Sequence, residues 1–207
     1  VRSPKSYNSQ IGVPLSVWQM RPEHTLALFE AGISRPGEME RLGAIIQPDI
    51  GLFTNIGPAH REGFRNDDEK IREKMRLFDS ARLLVVSADT PAILSAAQEW
   101  QNLREGRQLF TWSKNGLPAD AQIIGIQTHP DGFTQIRAAF RKMIELAVVE
   151  IPFSDSASIE NAIHCWAVMH VLGIPQKQIA ERMRRLEPVE MRLELKSGIR
   201  HCTLVND

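Results

Sequence analysis

The chain has 207 residues, 43% hydrophobic and 24% charged, which is room for one sizeable domain of ordinary globular composition, or one domain and a piece of another. Lysine plus arginine and aspartate plus glutamate balance at 25 each, so no overall basic field draws the chain to nucleic acid or an anionic membrane. Two cysteines, Cys165 and Cys202, are too few for a disulfide framework and suit a reducing cytoplasm, and no apolar run approaches the roughly 18 residues of a membrane span.

Val1-Arg2-Ser3-Pro4 is not a targeting segment, and the closing residues 203–207 read as a strand stopped partway, so the sequence reads as an excerpt from a longer protein. Along it, short β-rich runs alternate with helical patterns, which predicts an α/β fold with a mostly parallel sheet flanked by helices. Residues 24–29 form a continuous apolar run of strand length. A helix is expected from Ser34, a candidate cap, through about Ile46, with Pro36 tolerated in its first turn. A second strand covers 50–54. A polar loop, 55–66, leads to a helix over 67–80, where Asp67 and Asp68 favour the positive end of the helix dipole.

A third strand is expected at 83–86, and Thr90-Pro91 opens a helix to about Leu103. Residues 107–153 change character. Four β-like runs with a Pro130-Asp131-Gly132 turn predict a mostly antiparallel extension of the sheet. Ile159, Ala162, Ile163 and Trp166 then mark one face of a helix over 156–173, ended by Gly173. Another helix follows Pro175, and strands return from Met191.

In an open α/β sheet, ligands gather at the carboxyl ends of the strands. Glu30 follows the first expected strand, and Thr54 to His60 follow the second. Lys74 lies one to two turns inside the next helix. A carboxylate and an imidazole beside a phosphate site make a reasonable Mg²⁺ or Mn²⁺ environment. Each residue also has a plainer reading. Glu30 reads equally as a solvated loop residue or a cap partner, and His60 as a surface histidine. Lys74, among Glu69, Lys70, Glu73 and Arg76, reads as part of a solvated helix face with i,i+4 pairs.

Together these words resemble a family. Asn8 through Pro14, the stretch Phe29-Glu30-Ala31-Gly32 with Pro36-Gly37-Glu38, Thr54-Asn55-Ile56 with Ala59-His60, and Lys74 fourteen positions after His60 are similar in order and spacing to the Mur ligases. The resemblance covers nearly the whole chain. Within the family it points to the member that adds D-alanyl-D-alanine to a UDP-N-acetylmuramoyl-tripeptide, and also to the version fused to an alanine racemase.

The resemblance implies a central ATP-binding ligase domain over 1–187 and the start of a C-terminal domain over 188–207. It implies that Glu30 and His60 help hold a catalytic metal with Lys74, present as a carbamate. It further implies that Asn161 meets the adenine, that Arg192 reaches the nucleotide phosphates, that Asp207 lies near the nucleotide, and that Asn8 contacts substrate. Without the family, Asn161 and Arg192 read as surface residues. Two departures stand out. Ala157-Ser158 replace an expected His-Asn, removing one adenine contact. No Gly-x-x-x-x-Gly-Lys-Ser/Thr phosphate loop occurs, a motif the family places just before the position of Val1.

The implied chemistry is ATP-dependent amide formation through an acyl phosphate, with metal ions and Arg192 stabilising crowded negative charge; the excerpt alone is expected to be inactive. Alternatives are a ligase of the same superfamily acting on another muramyl peptide or on folate, and a silent Mur-like module of a fused enzyme. A nucleic-acid-binding module fits least, given zero net charge and one tyrosine.

Overall fold

Strand β2 (Leu83–Ser87) explains the layering of the molecule. Successive side chains of a strand point to opposite faces, so Leu84 and Val86 enter one apolar cluster and Val85 the other. A strand buried on both sides belongs in the interior of an α/β sheet. The computed structural model describes residues 1–4, 6–57, 63–141, 143–187, 194–197 and 202–206.

Six strands form one sheet in the order β1 (Ile50–Phe53), β2, β3 (Gln108–Ser113), β4 (Ala121–Thr128), β5 (Thr134–Phe140), β6 (Ala147–Ile151). Neighbours from β1 to β4 are parallel, while β4–β5 and β5–β6 are antiparallel. The mostly parallel sheet with an antiparallel extension is therefore as expected. The β4–β5 turn uses Gly132 at φ 86°, the left-handed conformation that glycine adopts without strain.

On one face, α3 (Asp67–Met75), a 3₁₀ turn (Arg76–Phe78) and α4 (Pro91–Asn102) cover Phe53, Leu84 and Val86 with Ile71, Phe78 and Trp100. A Cβ on Gly51 would lie 2.5 Å from the Phe78 ring, so β1 needs glycine there for this packing. On the other face, α5 (Ser156–Val171) and α6 (Gln176–Met183) pack Ile163, Trp166 and Ile179 against Trp112, Ile136 and Phe140. Asp155 caps α5 by accepting the Ser158 N–H at 2.8 Å. A smaller cluster of Val13, Ile33, Met39 and Leu42 joins α1 (Gly12–Val17) to α2 (Glu38–Ile46). Strands β7 (Glu194–Ser197) and β8 (Thr203–Asn206) form a separate antiparallel pair.

Three expectations are corrected. The run 24–29 is not a strand: its pairing is a single parallel bridge between Leu28 and Arg2, backed by bonds from Leu28 N–H to Val1 O and from Ser3 N–H to Leu28 O. Among the described residues, Leu26 and Leu28 bond across to residues 1–3 and stay exposed, and no ladder propagates. Ser34 does not cap a helix. Its N–H and that of Arg35 are taken by the Glu38 carboxylate, and α2 begins after Gly37 at φ 84°. The helix expected over 67–80 tightens after Met75, where the backbone enters the 3₁₀ turn and then the link to β2. The expected domain boundary, at residues 187 and 188, reaches into 188–193, which lie outside the described residues.

Candidate functional site

Asn8 and Glu30, 22 residues apart in the chain, meet directly: the Asn8 amide donates to Glu30 Oε1 at 3.1 Å. The backbone fixes this pairing, because Gly32 N–H donates to Asn8 O at 2.7 Å. A Cβ on Gly32 would sit 3.2 Å from Asn8 Cγ, so the close approach of the two segments favours glycine. Beside the pair lies a cleft of about 360 Å³ whose walls include Asn8, Gln10, Gly32, Ser34 and Glu38. Gln10 ties its two sides by donating to Glu38 O at 3.3 Å.

Lys74, the other described candidate, reaches the carboxyl end of β1. Its ammonium donates to Asn55 O at 3.2 Å and stands 5.4 Å from the centre of the Phe53 ring. Burial holds its pKa below the ordinary lysine value, and the neighbouring Lys70 charge adds to that. One turn earlier, Lys70 is buried and donates to Gly57 O at 2.9 Å.

Two lysines of α3 thus face the carbonyls of the segment that leaves β1. This corrects the plainer reading of α3 as a uniformly solvated face. Arg65–Glu69 is the expected kind of exposed i,i+4 pair, but Lys70 and Glu73 are buried because backbone groups of other segments satisfy them. Glu73 Oε1 accepts Gly37 N–H at 2.6 Å and Met39 N–H at 3.3 Å, so a side chain of α3 caps α2.

Asn161 is exposed on α5. Its neighbour Glu160 pairs with Lys114 at 2.9 Å, and Asp89 accepts from both Ser113 Oγ and Lys114 N–H. The ends of β2 and β3 are thereby tied to this part of α5. One turn further on, His164 is buried, with Nδ1 accepting from Trp112 Nε1 at 3.0 Å and Nε2 3.1 Å from Thr54 O. Burial pushes its pKa down to about 4. Sequence reasoning overlooked His164, Lys70 and Glu73. The signal for His164 was its place inside the apolar stretch 162–167; the partners of the other two are far away in the chain.

His60, Arg192 and Asp207 lie outside the described residues. Among the described residues no hydrogen bond or ion pair joins Glu30 to Lys74, and no group of three or more His, Cys, Asp or Glu is arranged to hold a metal. No helix among them is long and apolar enough to cross a membrane.

A family model described as the Mur ligase middle domain matches residues 2–169. The chain belongs to the Mur ligase family. Two similar curated proteins carry the name UDP-N-acetylmuramoyl-tripeptide–D-alanyl-D-alanine ligase. That of Buchnera aphidicola is 28% identical over 193 residues, 90% of this chain and 40% of the relative. That of Haemophilus influenzae is 37% identical over 198 residues, 91% of this chain and 39% of the relative. The crystal structure of MurF ligase from Thermotoga maritima in complex with ADP aligns with a TM-score of 0.79 at 21% identity, covering 96% of this chain and 44% of that one. This Mur ligase chain therefore spans about 40% of the length of the curated relatives it matches. The matched region contains Asn8, Glu30, Lys74 and Asn161 and ends before the β7–β8 pair.

Proposed function

We propose that this chain is the ATP-binding middle part of an enzyme that adds D-alanyl-D-alanine to a UDP-N-acetylmuramoyl-tripeptide in peptidoglycan synthesis. The observation that carries the reading is its similarity, across nine tenths of its length, to relatives of that name. The Asn8–Glu30 pair and its cleft supply a polar site in the same region. Residues 1–187 then form the central domain and 188–207 open the next. The work is placed in the cytoplasm, where ATP and nucleotide-linked precursors are found.

In the proposed reaction the terminal carboxylate of the tripeptide attacks the γ-phosphorus of ATP. The bond to the bridging oxygen breaks and ADP leaves. The dipeptide amine then adds to the acyl carbon, loses a proton and expels phosphate. Asn161 would orient the adenine, with Arg192 and Asp207 reaching the nucleotide from the C-terminal side; an ADP-bound structural neighbour is consistent with nucleotide use.

Glu30, His60 and carbamylated Lys74 would hold Mg²⁺ or Mn²⁺, and the donor chemistry fits, since oxygen ligands with one imidazole suit either ion. The metal would supply positive charge opposite the phosphate oxygens. Lys74 suits its part: burial favours the neutral amine, whose lone pair adds to the carbon of CO₂ with loss of a proton. The Asn8 amide, by donating to one Glu30 oxygen, would orient the other toward the ion.

The test is turnover by the full-length parent, followed by ADP release and product mass. D-alanyl-D-alanine should support ligation and single amino acids should not. Preference for a single amino acid would assign another ligase of the superfamily, and no turnover with any acceptor would leave a silent module.

A further inference from the structure

We propose that His164 is a positioning residue for the ligase site, fixing the segment 54–57 that serves Lys74 through its bond to Thr54 O; this rests on the function proposed above. His164 is 1% exposed, and its two ring nitrogens reach partners 52 and 110 residues away in the chain. Trp112 Nε1 can only donate, so Nδ1 must accept; Nε2 then carries the proton and donates to Thr54 O. One tautomer satisfies both contacts. Burial, which holds the ring neutral, preserves it.

The anchor is rigid. Trp112 is fully buried in the core, its ring edge-on to the imidazole at 4.9 Å between centroids. The held end is the first residue beyond β1. From it run Asn55, whose carbonyl receives Lys74, Ile56, which packs on the α3–α4 cluster, and Gly57, whose carbonyl receives Lys70. Thr54 itself is exposed, as are Asn55 and the Asn55–Lys74 bond, so packing gives the start of the segment little support. His164 also lies one turn from Asn161 on α5. The imidazole therefore ties the helix that carries the proposed adenine contact to the loop that carries the Lys74 acceptor. Asn55, the direct partner of Lys74, is the kind of group whose displacement typically changes metal affinity or activity by about 10–100-fold, and His164 acts on it through Thr54.

Two substitutions separate the arms, because the asparagine amide overlays Nδ1 and the glutamine amide overlays Nε2. In the full-length parent, His164→Asn keeps the Trp112 bond and loses the Thr54 bond; kcat should fall about 10–100-fold with KM for ATP within about threefold. His164→Gln keeps the Thr54 bond and should recover most of kcat. Amide hydrogen exchange at residues 55–57 should quicken in His164→Asn and stay near wild type in His164→Gln. A generic packing role predicts instead that both variants lose activity in proportion to lost stability. Wild-type kcat in a folded His164→Asn protein, or equal exchange in the two variants, would overturn the proposal. If the wild-type parent proves not to ligate, the proposed function fails separately, and the exchange comparison alone decides the Thr54 link.

Discussion

Glu73 reaches across from α3 to the start of α2, where its Oε1 accepts the Gly37 N–H at 2.6 Å. The same oxygen takes Met39 N–H, while Arg76 Nε lies 3.6 Å from Oε2. A buried carboxylate is tolerable here because it meets unpaired amides at the positive end of a helix and one guanidinium. Glu73→Ala should therefore cost about 1–3 kcal/mol, by leaving buried N–H groups without acceptors, and Glu73→Gln, which keeps one acceptor oxygen, should cost less. Urea unfolding of both variants measures this. An alanine variant as stable as wild type would remove the cap from the account.

This cap also shows where the sequence stopped being readable. The strands β2 to β6 and the helix α5 were legible because apolar runs, turn residues and the spacing of Ile159, Ala162, Ile163 and Trp166 encode them locally. Ser34 misled because the local rule for a cap lost to Glu38 and to Glu73, the latter 36 residues beyond the Gly37 whose N–H it accepts. The run 24–29 misled because apolar content does not say whether a partner strand is within reach. The candidate site was legible only as a set of words in register, through the family resemblance. The apolar stretch 162–167 signalled that His164 is buried, but not its partners, which both arrive through the folded sheet.

His164 gives a pH dependence of stability. Its pKa is lowered from an ordinary 6.5 to about 4, so between those values the unfolded chain binds the proton and the folded chain does not. Stability is therefore lost as pH falls from about 6.5 to about 4, by about 3 kcal/mol in all. His164→Gln removes this titration. Urea midpoints at pH 5 and pH 7 should differ more in wild type than in the variant, and parallel shifts in both would sink the assignment.

Lys74 should accept CO₂ more readily than an ordinary surface lysine, since burial raises its neutral fraction near neutral pH. Labelling with ¹³C-bicarbonate should give a carbamate signal that grows from pH 6.5 to 8.5 and is absent in Lys74→Arg. That variant keeps a cation but forms no carbamate, so ligation by the parent should fall by about 10² or more. Unchanged turnover in Lys74→Arg would strip Lys74 of its proposed role.

The Asn8–Glu30 bond makes a prediction that distinguishes an orienting residue from a ligand. Asn8 touches Glu30 through one hydrogen bond of 3.1 Å, so Asn8→Ala leaves the carboxylate in place and only releases its orientation. The loss should appear as weaker use of metal, about 10–100-fold in the Mg²⁺ concentration needed for half-maximal ligation, and excess Mg²⁺ or Mn²⁺ should restore the rate. Glu30→Gln removes the charge that would bind the ion, so added metal should restore little. Titrating both variants of the full-length parent with Mg²⁺ separates the two roles. If Asn8→Ala shows a fixed loss of kcat that no metal concentration repairs, Asn8 acts on substrate directly, as the family resemblance first implied, and its bond to Glu30 is incidental to metal binding.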